Sequence, residues 1–371
     1  MNICVGHSFN LNAESAVDEL AESLHQDNIK LALFFASPEY SPEEISFAFR
    51  KKFPQSDVVG CSAAGVICSQ GFVKNGIVGA SFAGADFRCA VSVIENANTF
   101  NTGAGIEAVI NCGKSLDTSP EKLSSHKHLA ITLIDGASQA EETIISTLAL
   151  AAPQIKIIGG SVSDFRQFSQ TYISHNGAIY RNAAVLLLLE LNEQFTVFSQ
   201  HHFIPTDNEV VISKSSLNQR SIREIDGLPA AERYAQLLNV ELAQLTNDLV
   251  IQHPFGYKID DKYYIRSVIS AEDGHLRTAS AINDGTVLTI MKPGDIIGNT
   301  REMVEQIRKN FASPHLLLLF NCLGRYEETE AKGITKDIHS IVNFCPLIGF
   351  NTYGEQFASL HINHSITGAA F

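Results

Sequence analysis

Short apolar runs, each closed by small polar residues, recur along this chain in one fixed plan. Leu31-Ala32-Leu33-Phe34-Phe35-Ala36 is followed, one helix length later, by Asp57-Val58-Val59-Gly60-Cys61-Ser62. Residues 129–138, Leu-Ala-Ile-Thr-Leu-Ile-Asp-Gly-Ala-Ser, lead in the same way to Lys156-Ile157-Ile158-Gly159-Gly160-Ser161. Leu316-Leu317-Leu318-Leu319-Phe320-Asn321 leads to Pro346-Leu347-Ile348-Gly349-Phe350-Asn351. Apolar runs of this length bounded by Gly, Asn, Asp and Ser predict buried strands. Between them lie helical patterns. Ser41-Pro42-Glu43-Glu44 has the make-up of a capping box, ahead of Ile45, Phe49 and Phe53 on one face. Ser138 and Glu141 suggest a second capping box before Ile144, Ile145 and Leu148, and Ile334, Ile338, Ile341 and Val342 stripe the third helix.

Each strand–helix–strand unit is followed by a further apolar strand, at Gly76–Phe82, Ala184–Leu189 and His361–Phe371. Asn176-Gly177 supplies the positive φ angles of a type I′ hairpin turn. Mixed sheets follow, and with them an α+β fold: a layered sandwich of mixed β-sheets with helices on the outer faces. Repeated strand–helix–strand units build it, in two domains. The polar stretch from about 190 to 220 sets the boundary, giving domains 1–205 and 206–371. The second domain opens on a helix with Tyr234, Leu237 and Leu238, and another helix is expected over Arg301–Phe311.

Composition narrows the function. A net charge of −13 disfavours nucleic acid and anionic membrane surfaces as partners. The longest apolar run, Ala183–Leu189, is too short to span a bilayer, and the N-terminus has no signal-peptide pattern, so a cytoplasmic protein is expected. The seven cysteines, Cys4, Cys61, Cys68, Cys89, Cys112, Cys322 and Cys345, include no CxxC pair and read as reduced thiols.

Val59-Gly60-Cys61-Ser62-Ala63-Ala64-Gly65, Ile134-Asp135-Gly136, Ile158-Gly159-Gly160-Ser161 and Gln170-Thr171-Tyr172 together resemble the FIST family. So do His253-Pro254, Tyr264-Ile265-Arg266-Ser267 and Gly349-Phe350-Asn351-Thr352-Tyr353-Gly354-Glu355, in the family's order. The resemblance implies an N-terminal and a C-terminal FIST domain and a small-molecule sensory role in signal transduction. A narrower resemblance, through His201-His202-Phe203-Ile204-Pro205-Thr206-Asp207 and Gly354-Glu355-Gln356-Phe357, is to a bacterial branch that senses nitric oxide. It implies bound haem and a partner histidine kinase; a cyclic-dinucleotide enzyme is the other effector considered. A free amino acid or other metabolite is the alternative ligand.

For haem, the candidate axial ligands are His201 and His202, only one of which can enter a given pocket if the segment is extended, with His361 behind them. His126 and His128 are expected in solvent. For a polar ligand, strand ends rich in Gly and small polar residues point to a pocket lined by Gly60, Cys61, Ser62, Asp135, Gly160, Ser161, Arg166, Arg325, Asn351, Tyr353 and Glu355. Each of these is equally consistent with a turn or surface role on its own. No catalytic residue is assigned. The enzyme alternative centres on Cys61, which follows a strand but lacks the G-x-S-x-G context of a nucleophile elbow. Gly103-Ala104-Gly105-Ile106-Glu107-Ala108 follows a polar stretch instead of leaving a strand directly, so it is a turn into a helix and no dinucleotide fingerprint.

Overall fold

The computed structural model describes residues 1–167, 171–311 and 313–371. In chain order, a first repeat holds β1 (Asn2–Ser8), α1 (Ala13–Leu24), β2 (Ile29–Ala36), α2 (Pro42–Lys52), β3 (Asp57–Ser62), β4 (Val66–Cys68), β5 (Gly71–Val73) and β6 (Ile77–Ala83). A second repeat holds β7 (Arg88–Glu95), α3 (Thr102–Ser115), β8 (His128–Asp135), α4 (Glu141–Ala151), β9 (Lys156–Val162), β10 (Ile173–His175), β11 (Ala178–Tyr180) and β12 (Ala183–Glu190). The third begins with β13 (Thr196–Gln200) and is then interrupted in the chain.

The interruption carries β14 (Ile204–Ser216), β15 (Ser221–Ile225), β16 (Leu228–Pro229), α5 (Ala230–Leu237), α6 (Asn247–Gln252), β17 (Phe255–Ile259), β18 (Lys262–Arg266), β19 (Val268–Glu272), β20 (His275–Thr278) and β21 (Val287–Lys292). The third repeat then resumes with α7 (Ile296–Asn310), β22 (Leu317–Cys322), α8 (Leu323–Ala331), α9 (Thr335–Val342), β23 (Leu347–Thr352), β24 (Glu355–Phe357), β25 (Leu360–Ile362) and β26 (Ile366–Ala370).

By contacts the chain divides into one unit of 1–200, 300–361 and 366–371 and a second of 201–299 and 362–365. This spatial division is a different partition from the linear one drawn at residue 205. It arises because the second unit is inserted between the first strand and first helix of the third repeat.

Within the first unit three six-stranded sheets share one order. They run β1-β6-β2-β3-β10-β11, β7-β12-β8-β9-β24-β25 and β13-β26-β22-β23-β4-β5. In each, the two strands joined by a helical crossover are parallel and the rest antiparallel, as the mixed-sheet expectation required. The last two strands of every sheet come from another repeat. The hairpin β4–β5 leaves the first repeat for the third sheet, β10–β11 leaves the second for the first, and β24–β25 leaves the third for the second. The exchange is cyclic.

The crossover strands are near-continuous apolar runs because both faces are covered. One cluster joins the inner faces of all three sheets, with Phe35, Leu133, Phe320 and Phe350 among its members. Phe35 and Phe350 lie 4.6 Å apart by ring centroids, and Phe320 meets Phe350 edge-on at 5.7 Å. Helices cover the outer faces through separate clusters. On α1, Ala13, Ala16, Val17, Leu20 and Leu24 form the buried stripe, and Asn12 caps the helix by accepting from Ser15 N at 2.9 Å. Ser41 caps α2 as the sequence indicated. The capping box expected at Ser138 does not form: α4 is preceded by Ala140 with no side-chain cap, and Ser138 bonds the Asp135 carbonyl instead.

The second unit is built on the ordered strands β18-β17-β21-β14-β15-β20-β19, with β16 against β15. Tyr234, Phe255, Ile212 and Leu288 belong to its core. Among the described residues no helix is long and apolar enough to cross a membrane.

Candidate functional site

The registers make Ser62, Ser161 and Asn351 equivalent, each near the carboxyl end of the second crossover strand. All three do the same backbone work. Ser62 N donates to Tyr172 O (3.1 Å), Ser161 N to Gly354 O (2.8 Å) and Asn351 N to Gly65 O (3.1 Å). Each bond ties in the hairpin arriving from another repeat. Their side chains are equally committed. Ser62 Oγ accepts from Tyr172 N at 3.2 Å, and Asn351 Nδ2 donates to Ala64 O at 3.0 Å. Ser161 Oγ donates to Glu141 at 3.1 Å and accepts from Gln356 Nε2 at the same distance.

The adjacent inward positions are Cys61, Gly160 and Phe350. Two are small and one is large, which lets the Phe350 ring occupy the centre. A Cβ on Gly160 would lie 2.4 Å from Thr352 Cγ2 and 3.2 Å from the Phe350 ring. Gly60 has a similar constraint, its missing Cβ falling on the Phe34 ring. Cys61 is fully buried in this core, and burial pushes its thiol well above the ordinary range. A thiol so placed is inert as a nucleophile.

Polar side chains accumulate beside the third repeat. Arg325, 2% exposed, donates to Asn321 Oδ1 (3.1 Å) and Thr300 Oγ1 (2.8 Å), and burial lowers its guanidinium to about 10. Asn321 in turn donates to Asn351 Oδ1 at 2.9 Å. Glu355 is buried and accepts from Thr352 Oγ1 at 2.6 Å. Asp135 anchors two turns, accepting from Ala137 N at 3.0 Å and Asn182 N at 2.6 Å.

Tyr353, which is partly buried, and Arg166, which is exposed, differ from these. Phe165 and Arg166 stand in the left-handed region, at φ 56° and 66°. For bulky side chains this conformation is strained and calls for an external cause. The cause is Tyr353, whose hydroxyl donates to the Asp164 carboxylate and accepts from the backbone N–H of Asp164 and Arg166. Arg166 also holds Glu327 through two nitrogens, Nε at 3.1 Å and Nη2 at 2.5 Å. Phe165 and Tyr353 pack on Ala64, Leu323 and Tyr326. Side chains from all three repeats therefore meet here at strand ends. Sequence reasoning missed Asp164 and Glu327, because neither lies in a pattern that sets it apart from a surface acid. Gln170, part of one family-like segment, lies outside the described residues.

The candidate haem-ligating histidines lie in different surroundings. His201 is held at both ring nitrogens: Nε2 to Tyr263 O at 3.0 Å, and Nδ1 accepting from Phe203 N at 3.2 Å. Burial lowers its pKa, which keeps it neutral. His202 packs against Phe203 (4.3 Å, tilted) and His364 (6.0 Å, edge-on). His361 belongs to the other unit and meets Gln356 at 3.3 Å. Among the described residues no group of three or more His, Cys, Asp or Glu is arranged to hold a metal ion. His128, expected in solvent, is buried and accepts from Ser124 N at 3.0 Å.

The structure thus shows a body of three repeats interrupted in the chain by a β-rich unit, with a left-handed Phe165–Arg166 turn clasped at its strand ends. The chain belongs to the FIST family: the FIST N domain matches residues 30–228 and the FIST C domain residues 230–358. FIST domains are sensory domains of signal transduction that bind small ligands. No curated protein matches the chain.

Proposed function

We propose that this protein senses a small polar metabolite at the strand-end crevice around Tyr353, Asp164 and Arg166, and passes the signal to a separate effector. The observation that carries the reading is the strained Phe165–Arg166 turn clasped by a tyrosine from another repeat. A sensor needs an element with two arrangements that a ligand binds unequally. Here a ligand that engages the Arg166 guanidinium or the Tyr353 hydroxyl competes with the clasp and releases the strain. A carboxylate or amide group has the hydrogen-bonding capacity to do so.

In this reading the effector is a histidine kinase or a cyclic-dinucleotide enzyme, the partners that the family resemblance suggests. A cytosolic location is part of the reading, in keeping with seven scattered cysteines that include no CxxC pair. No catalytic step is assigned, and the burial of Cys61 weighs against the enzyme alternative.

Thermal-shift screening of metabolites against the wild type and Tyr353→Phe tests the proposal. A ligand that stabilises the wild type should have its affinity changed in the variant. A ligand whose affinity is identical in both binds elsewhere and sinks this assignment. Haem sensing of nitric oxide is tested beside it by the absorbance of protein made with ample haem. Given the committed His201 ring, no stoichiometric Soret band is expected; one that moves with nitric oxide and is lost in His202→Ala would overturn that expectation.

A further inference from the structure

A cleft of about 490 Å³ opens at the opposite, amino ends of β2 and β3. It is within the range of small-molecule sites, but its lining is polar. Three cations from three elements converge on it: Lys30 at the start of β2, Arg50 near the end of α2 and Arg88 at the start of β7. Their charges are not equally available. Arg88 is balanced by Asp117 (2.8 Å) and Glu190 (3.4 Å). Arg50 donates only to neutral oxygens in its recorded bonds, Ser56 O at 2.9 Å and Asn176 Oδ1 at 3.2 Å. Lys30 is exposed and makes no ion pair among the described residues.

One carboxylate, Asp57, also lines the cleft and would repel an anion if it stood alone. It does not stand alone. His175 Nε2 lies 3.4 Å from Oδ1, and Asn176 Nδ2 donates to the same oxygen at 3.2 Å. These partners, with the nearby charge of Arg50, satisfy the carboxylate within the protein. In a chain of net charge −13, Lys30 and Arg50 face one cavity with no carboxylate at ion-pair distance among the described residues, Asp57 acting on Arg50 only as a more distant charge. Clefts walled by low-dielectric protein focus such a field.

From this geometry we infer that the cleft is a second ligand site, separate from the strand-end crevice, for a small phosphate- or carboxylate-bearing anion. Lys30 and Arg50 bind its oxyanion group, and Arg88 sits on the flank. The site does not depend on the Tyr353 loop, so either assignment can fail without the other.

Calorimetric titration of the full chain at low ionic strength, with pyrophosphate and with citrate in separate runs, tests it. Saturable binding of at least one probe is expected, weakened about tenfold or more by Lys30→Glu and by added salt. Lys309→Glu, the same charge change on α7 away from the cleft, should leave affinity within about twofold. Preference for pyrophosphate or for citrate identifies the phosphate or the carboxylate as the group recognised. Absence of saturable binding of either probe overturns the inference, as does equal weakening by Lys30→Glu and Lys309→Glu. Lys30 has no recorded bond to lose, so an unchanged melting temperature without ligand is expected and keeps the variant interpretable.

Discussion

Replacing Tyr353 by phenylalanine removes one oxygen and, with it, every hydrogen bond of the clasp. Left-handed backbone costs a non-glycine residue roughly 1–2 kcal/mol, so Phe165 and Arg166 together store about 2–4 kcal/mol. Against this, a hydroxyl bond to a buried carboxylate contributes about 1.5–3 kcal/mol and two neutral amide bonds about 1 kcal/mol each. The remaining tether, Arg166 with Glu327, is 43% and 47% exposed and contributes at most about 1 kcal/mol. The clasp therefore outweighs the strain in the wild type, and the ion pair alone does not. In Tyr353→Phe the turn should relax. Hydrogen exchange read by mass spectrometry should show the Asp164 and Arg166 amides exchanging about a hundredfold faster, the factor for about 2.7 kcal/mol, with β9 unchanged. Trypsin should also cut after Arg166 faster. Unaltered exchange at these two amides, or a loss of protection spread equally over β9 and β23, would refute the strain argument.

Gly159→Ala should destabilise the fold by about 3 kcal/mol or more, because its Cβ would lie 2.1 Å from the Thr132 backbone oxygen of the paired strand. Gly274→Ala, at φ 77° with open space around it, should cost only about 1 kcal/mol; urea denaturation separates the two. Asp57 is held below the ordinary carboxylate range, chiefly by its hydrogen bond with His175 and further by Asn176, against the opposing effect of burial. The stability this lends is present above the unfolded carboxyl value of about 3.9 and lost as pH falls through the lower folded value, so Asp57→Asn should flatten that part of the acid limb in urea titrations. Cys61 should resist a thiol reagent in native protein and react only on unfolding; reaction at the rate of a free cysteine would contradict its burial. A fragment of residues 1–229, although it contains the whole FIST N match, should fail to unfold cooperatively by circular dichroism. It lacks Phe320 and Phe350 from the central cluster, the hairpin that pairs with β9, and the strand that receives β4–β5.

The three repeats were legible because each presents the same local signals. Apolar runs such as Leu316–Phe320 can only be buried strands at that length, and Ser41-Pro42 starts a helix whatever surrounds it. The hairpin exchange was not legible. Val66–Cys68, Ile173–His175 and Glu355–Phe357 are three residues each, and nothing in so short a strand tells which sheet it will extend. The choice is made by the bonds at Ser62, Ser161 and Asn351, which are backbone interactions and leave only a weak trace in residue type. The chain division is hidden for a related reason. An insertion between Gln200 and α7 preserves the apolar pattern on both sides, so a linear reading sees two successive halves where the contacts show one body interrupted by another.

The recurrence of small polar residues at strand ends was more legible than what those residues do. Small polar residues at strand ends were correctly seen to recur, but recurrence has two physical causes. A cavity shared by three repeats would need such residues, and so would a seam where three hairpins change sheets. Ser62, Ser161 and Asn351 serve the seam: all are almost fully buried and each donates its backbone N–H to an incoming hairpin. What separates a ligand-facing position from a stitch is departure from the repeat. The residues aligned with Tyr353 are Ala64 and Ser163; Ser163 Oγ accepts from Ala64 N at 2.8 Å and donates to Asn351 O, whereas Tyr353, of the three, clasps a left-handed Phe-Arg turn. The turn it restrains, Asp164 to Arg166, has no counterpart in the other two repeats, where Gly65 and Gly354 run directly into Val66 and Glu355. A repeat fixes what the fold requires of all three copies, so the features confined to one copy are where a requirement other than folding is expressed.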